Sequence, residues 1–309
     1  MHDIVIITGP TATGKSDSAV EFAKKFNGEI VSADSMLVYK GMNIGTAKPT
    51  FDQLASVPHH MVDVADPKED FSAALWQKGA ICAIDDIISR GKLPVIVGGT
   101  GLYVRSVLYP MDFAGAKSDD SVREKWEKYL KENGPELLHD ELKKVDPDEA
   151  EKLPVGDTRR TIRALEIFEL TGKSKTQTVL EDRMRPPRYN ALTMAVDMPR
   201  DVLYDRINRR VDIMVKDGLV EEVKALLDSG VPKNATSMQG LGYKEIAMYL
   251  NMELTLEEAL ELLKRKTRNF AKRQLTWFRR YDDIIWLHAD KNVEKSEMLA
   301  FFAENHSRG

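Results

Sequence analysis

The chain has 309 residues, 42% of them hydrophobic and 30% charged, with a formal net charge of -4. That length can bury a sizeable core in one large domain or two modest ones, and the composition is that of an ordinary soluble globular protein. No apolar run approaches the roughly 20 residues that span a bilayer, "IVII" (4–7) is too short for a secretory signal, and mild acidity excludes a uniformly basic nucleic-acid binder while leaving room for local basic patches. The expected location is therefore cytoplasmic, off the membrane, with no obligate protein partner evident.

In chain order, "IVIIT" (4–8) reads as a buried strand, 14–26 as a helix opened by a glycine-rich loop, and "EIVSAD" (29–34) as a second strand. A glycine-containing irregular stretch follows. The adjacent His59 and His60 invite a metal reading, but neighbours in a strand point to opposite faces, so shared ligation is not expected. A helix is expected around 72–90. It carries the single cysteine, Cys82, which cannot form an internal disulfide and is read as core. "LPVIVGG" (93–99) is the next strand.

Near 112 the pattern changes. From Ser118 to about Arg185 the segments are helical and highly charged, as in "SVREKWEKYLKE" and "TRRTIRALEIFEL". "YNALTMAVD" (189–197) returns to a core strand, and helix then dominates until "DIIWLH" (283–288). Such β-α-β order implies a parallel sheet. The expected architecture is α/β: a P-loop NTPase-like parallel sheet with helices on both faces, formed by 1–112 and 188–309 and interrupted by a mainly helical insertion at 113–187.

The loop "GPTATGKS" is Gly9, Pro10, Thr11, Ala12, Thr13, Gly14, Lys15 and Ser16. It fits G-x-x-x-x-G-K-[ST], in which backbone N–H groups and a helix N-terminus cradle phosphates, the lysine reaches the terminal phosphate and the hydroxyl ligates Mg2+. The ordinary reading of such a loop is ATP or another nucleotide. Yet "LPVIV" runs into "GGTGLY", so Thr100 stands where a hydrolase would carry its magnesium-binding acid. An acid appears instead as Asp34, after the second strand. Ligands sit outside the carboxyl ends of such strands, so the loop, Asp34 and Thr100 should converge on one crevice. From the pattern alone Asp34 is either a reacting carboxylate or a helix cap or Mg2+ ligand.

The sequence resembles the tRNA dimethylallyltransferase (tRNA isopentenyltransferase) family in "GPTATGKS", "SADSMLVYKGMNIGTAKPT", "VPHHMVDV", "PVIVGGTGLY", "RRTIRALEIFELTGKS", "LYDRINRRVDIMVKDGLVEEV", "GLGYKEI" and "RNFAKRQLTWFRR". These blocks cover nearly the whole chain in the family's order. The resemblance implies transfer of a dimethylallyl group from dimethylallyl diphosphate to N6 of adenine 37 in tRNA, with Mg2+ as cofactor and the anticodon stem-loop as partner. The loop would then hold a prenyl diphosphate. The departures are Thr13 where serine is common and Thr161 where an aliphatic residue is usual. The zinc-finger tail of eukaryotic relatives is absent after Trp286, which favours the bacterial form.

The residues support that chemistry on their own terms. Prenyl transfer builds negative charge on the leaving diphosphate, which Lys15, loop N–H groups, Mg2+ and the Thr100 hydroxyl would stabilise. The adenine amine must lose a proton as it attacks, and Asp34 is the plausible base. The base must also leave its stack, to be read by Asp34, Ser35, Met36 and Leu37 and by the segment from Gln239 to Gly242. "KRKTRNFAKRQLTWFRR" (264–280) has eight cations and no acid. Arg265, Arg268, Lys272 and Arg279 share a helix face suited to phosphates, unless Glu257, Glu258 and Glu261 simply balance a solvated surface. Lys272 and Arg273 are the candidates there, and Phe270 and Trp277 are read as core anchors. In the insertion the resemblance favours Arg123, Arg159, Arg160 and Arg163 as the grip on tRNA. The rivals are a P-loop small-molecule kinase, an adenylate-type isopentenyltransferase that needs no RNA grip, and a non-catalytic RNA-binding module.

Overall fold

Alternation within β1 (Ile4–Thr8) decides the layering: Ile4 and Ile6 enter one apolar core, Val5 and Ile7 another. A strand with a core on each face belongs inside a parallel sheet. The computed structural model describes residues 2–111, 113, 120–288 and 295–308. Its remaining strands are β2 (Gly28–Ser32), β3 (His59–His60), β4 (Leu93–Val97), β5 (Ala191–Asp197) and β6 (Ile285–His288). They pair throughout in parallel, in the order β3-β2-β4-β1-β5-β6, with Val5 opposite Val95 on one side and Leu192 on the other.

The helices leave β1 and β4 in opposite directions. After β1, α1 (Lys15–Lys25) buries Ala19, Val20 and Phe22 in the core of Val5 and Ile7. The short α2 (Phe51–Ser56) precedes β3, and α3 (Ala73–Ser89), capped by Ser72, buries Trp76, Ala80, Ile84 and Ile87 on the other face. After β4, α4 (Gly101–Leu108) joins α3 there, stacking Tyr103 on Trp76 at 4.2 Å. Adjacent strands whose outgoing helices take opposite faces make a switch point, and a crevice opens at their carboxyl ends.

The chain divides into two compact units, Met1–Leu108 with Tyr189–Gly309, and Tyr109–Arg188. The second contains α5 (Asp120–Val145), broken at Gly134 (φ 83°) before Pro135, α6 (Pro147–Lys152), α7 (Thr158–Thr171) and α8 (Lys175–Met184). Its own core is built on Leu138, Leu142, Ile162 and Leu165. Thr161, unusual by resemblance, is buried and donates its hydroxyl to the Asp157 carbonyl (3.0 Å), so the polar atom is satisfied. The positions where the sequence pattern changes, 112 and Ser118, lie outside the described residues. In the first unit follow α9 (Arg200–Lys216), α10 (Leu219–Asp228), α11 (Tyr243–Leu250), α12 (Leu256–Phe278) and α13 (Lys295–Arg308). Among the described residues no helix is long and apolar enough to cross a membrane.

The α/β architecture is the one the sequence implies, with differences of detail. The strands expected at 29–34 and 93–99 stop at Ser32 and Val97. Beyond those points the two backbones converge: a Cβ at Gly98 would lie 2.2 Å from the Ala33 carbonyl oxygen. Beyond the last expected strand, α13 seats Phe302 edge-on against Phe22 of α1. The sequence reading was mistaken about Cys82, which is exposed. Two residues past buried Ala80 is about 200° around the helix, away from the core. His59 and His60 do not converge: His59 Nδ1 lies 2.7 Å from the Val57 carbonyl, and His60 Nε2 lies 2.8 Å from Glu29 Oε2.

Glu29, in β2, is 2% exposed and also accepts Arg90 (2.8 Å) and Lys92 (2.7 Å). Hydrogen bonding from Arg90 holds its carboxyl well below the usual carboxylate range, against the opposing effect of burial. Glu29→Gln should cost about 2–3 kcal/mol at neutral pH, below the ~3–5 kcal/mol of fully buried pairs because Arg90 and Lys92 reach solvent. The folded pKa is depressed, so this stabilisation is complete above the unfolded value near 4.5 and lost as pH falls below it. Urea melts of both proteins should therefore converge in acid. A gap that persists there would assign the cost to packing.

Candidate active site

The loop between β1 and α1 turns through three residues at positive φ, Gly9 (128°), Ala12 (66°) and Gly14 (85°). A Cβ at Gly9 would lie 2.6 Å from the Val196 carbonyl oxygen, so glycine alone fits beside β5. Within the turn the Pro10 carbonyl accepts the Thr13 hydroxyl (3.0 Å) and the Lys15 ammonium (3.1 Å). Thr13 thus fills the place of the commoner serine with its hydroxyl bonded. Lys15 is buried, and its pKa is pushed down to about 8, first by burial and then by the Arg210 charge, with Asp34 opposing. Ser16 is exposed in the first turn of α1.

Two side chains brace this loop from a distance. Gln274 of α12 is buried, accepts the Thr11 N–H (3.0 Å) and donates to the Gly99 carbonyl (3.0 Å), joining the phosphate loop to the turn after β4. Arg210 of α9 reaches within 3.5 Å of the Thr11 hydroxyl. Burial lowers its pKa, while Asp34 and Asp17 oppose the shift; a guanidinium nonetheless stays charged. Neither residue was singled out from sequence. The available signal was a polar side chain on an apolar stripe: Gln274 is spaced with buried Ala271 and Phe278, and Arg210 with buried Leu203, Ile207 and Val211.

Asp34 lies two residues beyond β2, and its Oδ1 accepts the Met36 N–H (2.8 Å). Thr100 follows β4, and its Oγ1 accepts the Ser35 N–H (3.1 Å). That bond leaves the hydroxyl proton of Thr100 available to another acceptor. A cavity of about 340 Å3 brings Thr11 and Ala12 together with Asp34, Ser35, Met36, Arg210, Gln239 and Arg273. Phe270 also lines it, so that ring is a cavity wall and not the core anchor expected. Trp277 does pack on the core, and its ring lies where a Cβ at Gly101 would sit. A larger cavity of about 540 Å3, at the ends of β5 and β6, is lined by Lys272, Arg279 and His288 but by no residue of the phosphate loop. The smaller cavity, where a carboxylate faces the loop and Arg210, is the candidate site.

The model of the IPP transferase family matches residues 37–281, and an isopentenyl transferase model matches 2–64. The tRNA dimethylallyltransferase of Caldanaerobacter subterraneus subsp. tengcongensis is 52% identical over 289 residues, 93% of this chain and 92% of its own. The chain belongs to the tRNA dimethylallyltransferase family. The Acetivibrio thermocellus tRNA dimethylallyltransferase is 47% identical over 94% of this chain and 93% of its own. The crystal structure of the full-length tRNA isopentenylpyrophosphate transferase of Bacillus halodurans is 44% identical, with a TM-score of 0.73 over 99% of this chain and 97% of that one. A eukaryotic dimethylallyltransferase acting on tRNA is 30% identical, with a TM-score of 0.81 over 99% of this chain and 76% of that one.

In this family member the basic residues of α12 divide. Lys272 and Arg273, about 100° apart on the helix, line different cavities. Arg268 donates to Asn208 (2.7 Å) beside the Tyr204 ring, Arg279 pairs with Asp197 (2.6 Å), and Lys264 and Lys266 pair with Asp212 and Glu245. The open phosphate-facing row expected of 265, 268, 272 and 279 is therefore partly committed to internal partners. In the helical unit, buried Glu166 takes Arg163 (2.8 Å) and Arg123 (3.5 Å), Arg160 lies 3.4 Å from Asp157, and Arg159 is exposed. Leu37 is half-buried, outside the lining of the cavity.

A lysine with a pKa of about 8 is partly neutral in mildly alkaline solution. A bound diphosphate favours its charged form, so affinity for inorganic diphosphate should fall as pH rises through about 8, relative to a Lys15→Met control that binds weakly at every pH. Calorimetry across that range checks it. Equal pH dependence in parent and control would remove Lys15 from the anion's contacts.

Proposed function

We propose that this protein transfers a dimethylallyl group from dimethylallyl diphosphate to N6 of adenine 37 in tRNA, giving N6-dimethylallyladenosine and diphosphate. The observation that carries the reading is Asp34 in one cavity with Arg210 and the phosphate loop, beside buried Lys15. Loop N–H groups, Lys15, Arg210 and the Thr100 hydroxyl proton hold the diphosphate and take up its developing charge. As the C1–O bond of the donor breaks, N6 forms its bond to C1. Asp34 Oδ accepts the N6 proton. Gln239, Ser35 and Met36 orient the flipped base, with Phe270 as an apolar wall.

The donor set fits a Mg2+ that keeps most of its waters: Ser16 offers an exposed hydroxyl at the start of α1, and the diphosphate supplies the remaining oxygens. Bound there, the cation would neutralise leaving-group charge. Among the described residues no cluster of three His, Cys, Asp or Glu side chains could hold a metal without substrate. Residues 113–187 take the anticodon stem through Arg123, Arg159, Arg160 and Arg163, and Lys272 and Arg273 add phosphate contacts from the core. With tRNA as substrate, the site of action is the cytoplasm, without an obligate protein partner.

One assay separates this reading from its rivals. Labelled dimethylallyl diphosphate is offered with unmodified tRNA or with AMP, and ATP turnover is followed in parallel. Label should enter tRNA alone, at adenine 37. Labelled AMP would favour the adenylate-type enzyme, and ATP turnover on a small acceptor would favour a kinase.

Asp34→Asn should lower turnover roughly 10²- to 10⁴-fold while retaining affinity for tRNA and diphosphate. Near-parental turnover, or full recovery with added Mg2+, would move Asp34 from the reaction to the metal or the fold. Removing Lys272 should flatten the log-log salt dependence of tRNA affinity by about 0.7–0.9. An unchanged slope would place Lys272 off the RNA.

A further inference from the structure

One wall of the candidate site, formed by Gly45 and Thr46, belongs to no helix or strand. Besides the packing of Met42 and Ile44 on the core and the turn's own hydrogen bonds, one carboxylate on α10 gathers its N–H groups. Glu222 Oε2 accepts the N–H groups of Asn43 (2.8 Å) and Ile44 (2.8 Å), and Oε1 accepts that of Gly45 (3.1 Å). Oε1 also accepts the hydroxyl of Tyr243 (2.6 Å), at the first residue of α11. Buried Tyr243 itself lines the cavity, and a Cβ at Gly45 would lie 2.6 Å from its ring. Burial and then the neighbouring carboxylate hold its phenol well above the ordinary range, so it remains a donor. The Thr46 hydroxyl closes the turn on the Met42 carbonyl (2.7 Å).

Three successive N–H groups with no carbonyl partner form an anion-holding concavity, and here the anion is part of the protein. Charge-assisted bonds of this kind are about twice as strong as neutral ones. One side chain outside the reacting cavity thus takes all three N–H groups of the turn, in addition to its internal bonds. Resting on the prenyl-transfer reading above, we propose that Glu222 is a positioning residue for the transfer step. Its carboxylate sets where the Gly45, Thr46 and Tyr243 wall stands relative to Asp34, and so fixes the line along which the adenine amine meets the allylic carbon. The diphosphate side is built from Lys15, Arg210, Thr100 and the turn after β1, and among the described residues none of these hydrogen-bonds Glu222.

That independence supplies the test. Steady-state prenyl transfer to tRNA and binding of inorganic diphosphate are measured for the parent and for Glu222→Gln, whose amide must turn an NH2 toward one of the donors now bonded. Misplacement of about 1 Å costs up to roughly 100-fold, so kcat/KM for tRNA should fall about 10- to 100-fold while diphosphate affinity stays within about twofold. Where Glu222→Gln does not fold, Tyr243→Phe keeps the ring against Gly45 and removes one hydroxyl. It should lose about 3- to 10-fold in kcat/KM, again with diphosphate binding retained. Parental kcat/KM in the folded variant overturns the proposal, and so does a parallel loss of diphosphate affinity, which marks a general structural role. A parent that transfers no prenyl group to tRNA overturns the function itself, and the proposal with it.

Discussion

The site depends on an electrostatic imbalance that the fold enforces. Lys15 is buried and Arg210 is held beside the same loop, each lowering the cost of binding an anion by raising the cost of having none. Asp34 and Asp17 compensate only in part. Burying like charges together is unfavourable unless a counter-charge arrives, so the cleft suits a strongly anionic ligand. The switch point between β1 and β4 places these cations at the edge of two buried apolar cores, one on each face of the sheet.

Asp34 is the carboxylate that stands against this imbalance in the cavity. One of its oxygens is occupied by the Met36 N–H, which fixes the carboxylate at the cavity wall and leaves the other oxygen free to face a reacting group. Thr100 is fixed in a complementary sense: its oxygen is engaged by Ser35, and its proton is what it can offer. A fixed acceptor and a fixed donor, supplied by the ends of neighbouring strands β2 and β4, suit a reaction in which one partner sheds a proton and the other gains charge.

Much of this was legible in the sequence wherever local pattern and local structure coincide. The phosphate loop is contiguous, its glycines sit where positive φ is needed, and β1 has an uninterrupted apolar run. Asp34 and Thr100 could be placed because strand ends in a parallel sheet point to one edge. Arg210 and Gln274 escaped because their partners lie 199 and 263 residues away, and their place on an apolar stripe marks burial without naming a partner. Phe270 and Cys82 were misjudged for a related reason. Helical spacing shows which residues share a stripe, but which stripe meets core, cavity or solvent is decided by distant elements. Asn208 and Asp197, the partners of Arg268 and Arg279, likewise come from elsewhere in the chain and could not be read from the basic helix alone.

The Gln274 bridge also bears on how the molecule is made. During synthesis the segment containing Thr11 and Gly99 emerges early, with an N–H and a carbonyl that have no partner until α12 appears. The brace reaches from residue 274 back to residues 11 and 99, so the phosphate cradle lacks it until α12 is in place. A product that stops before α12 would carry the recognisable loop without the side chain that bridges it to the turn after β4.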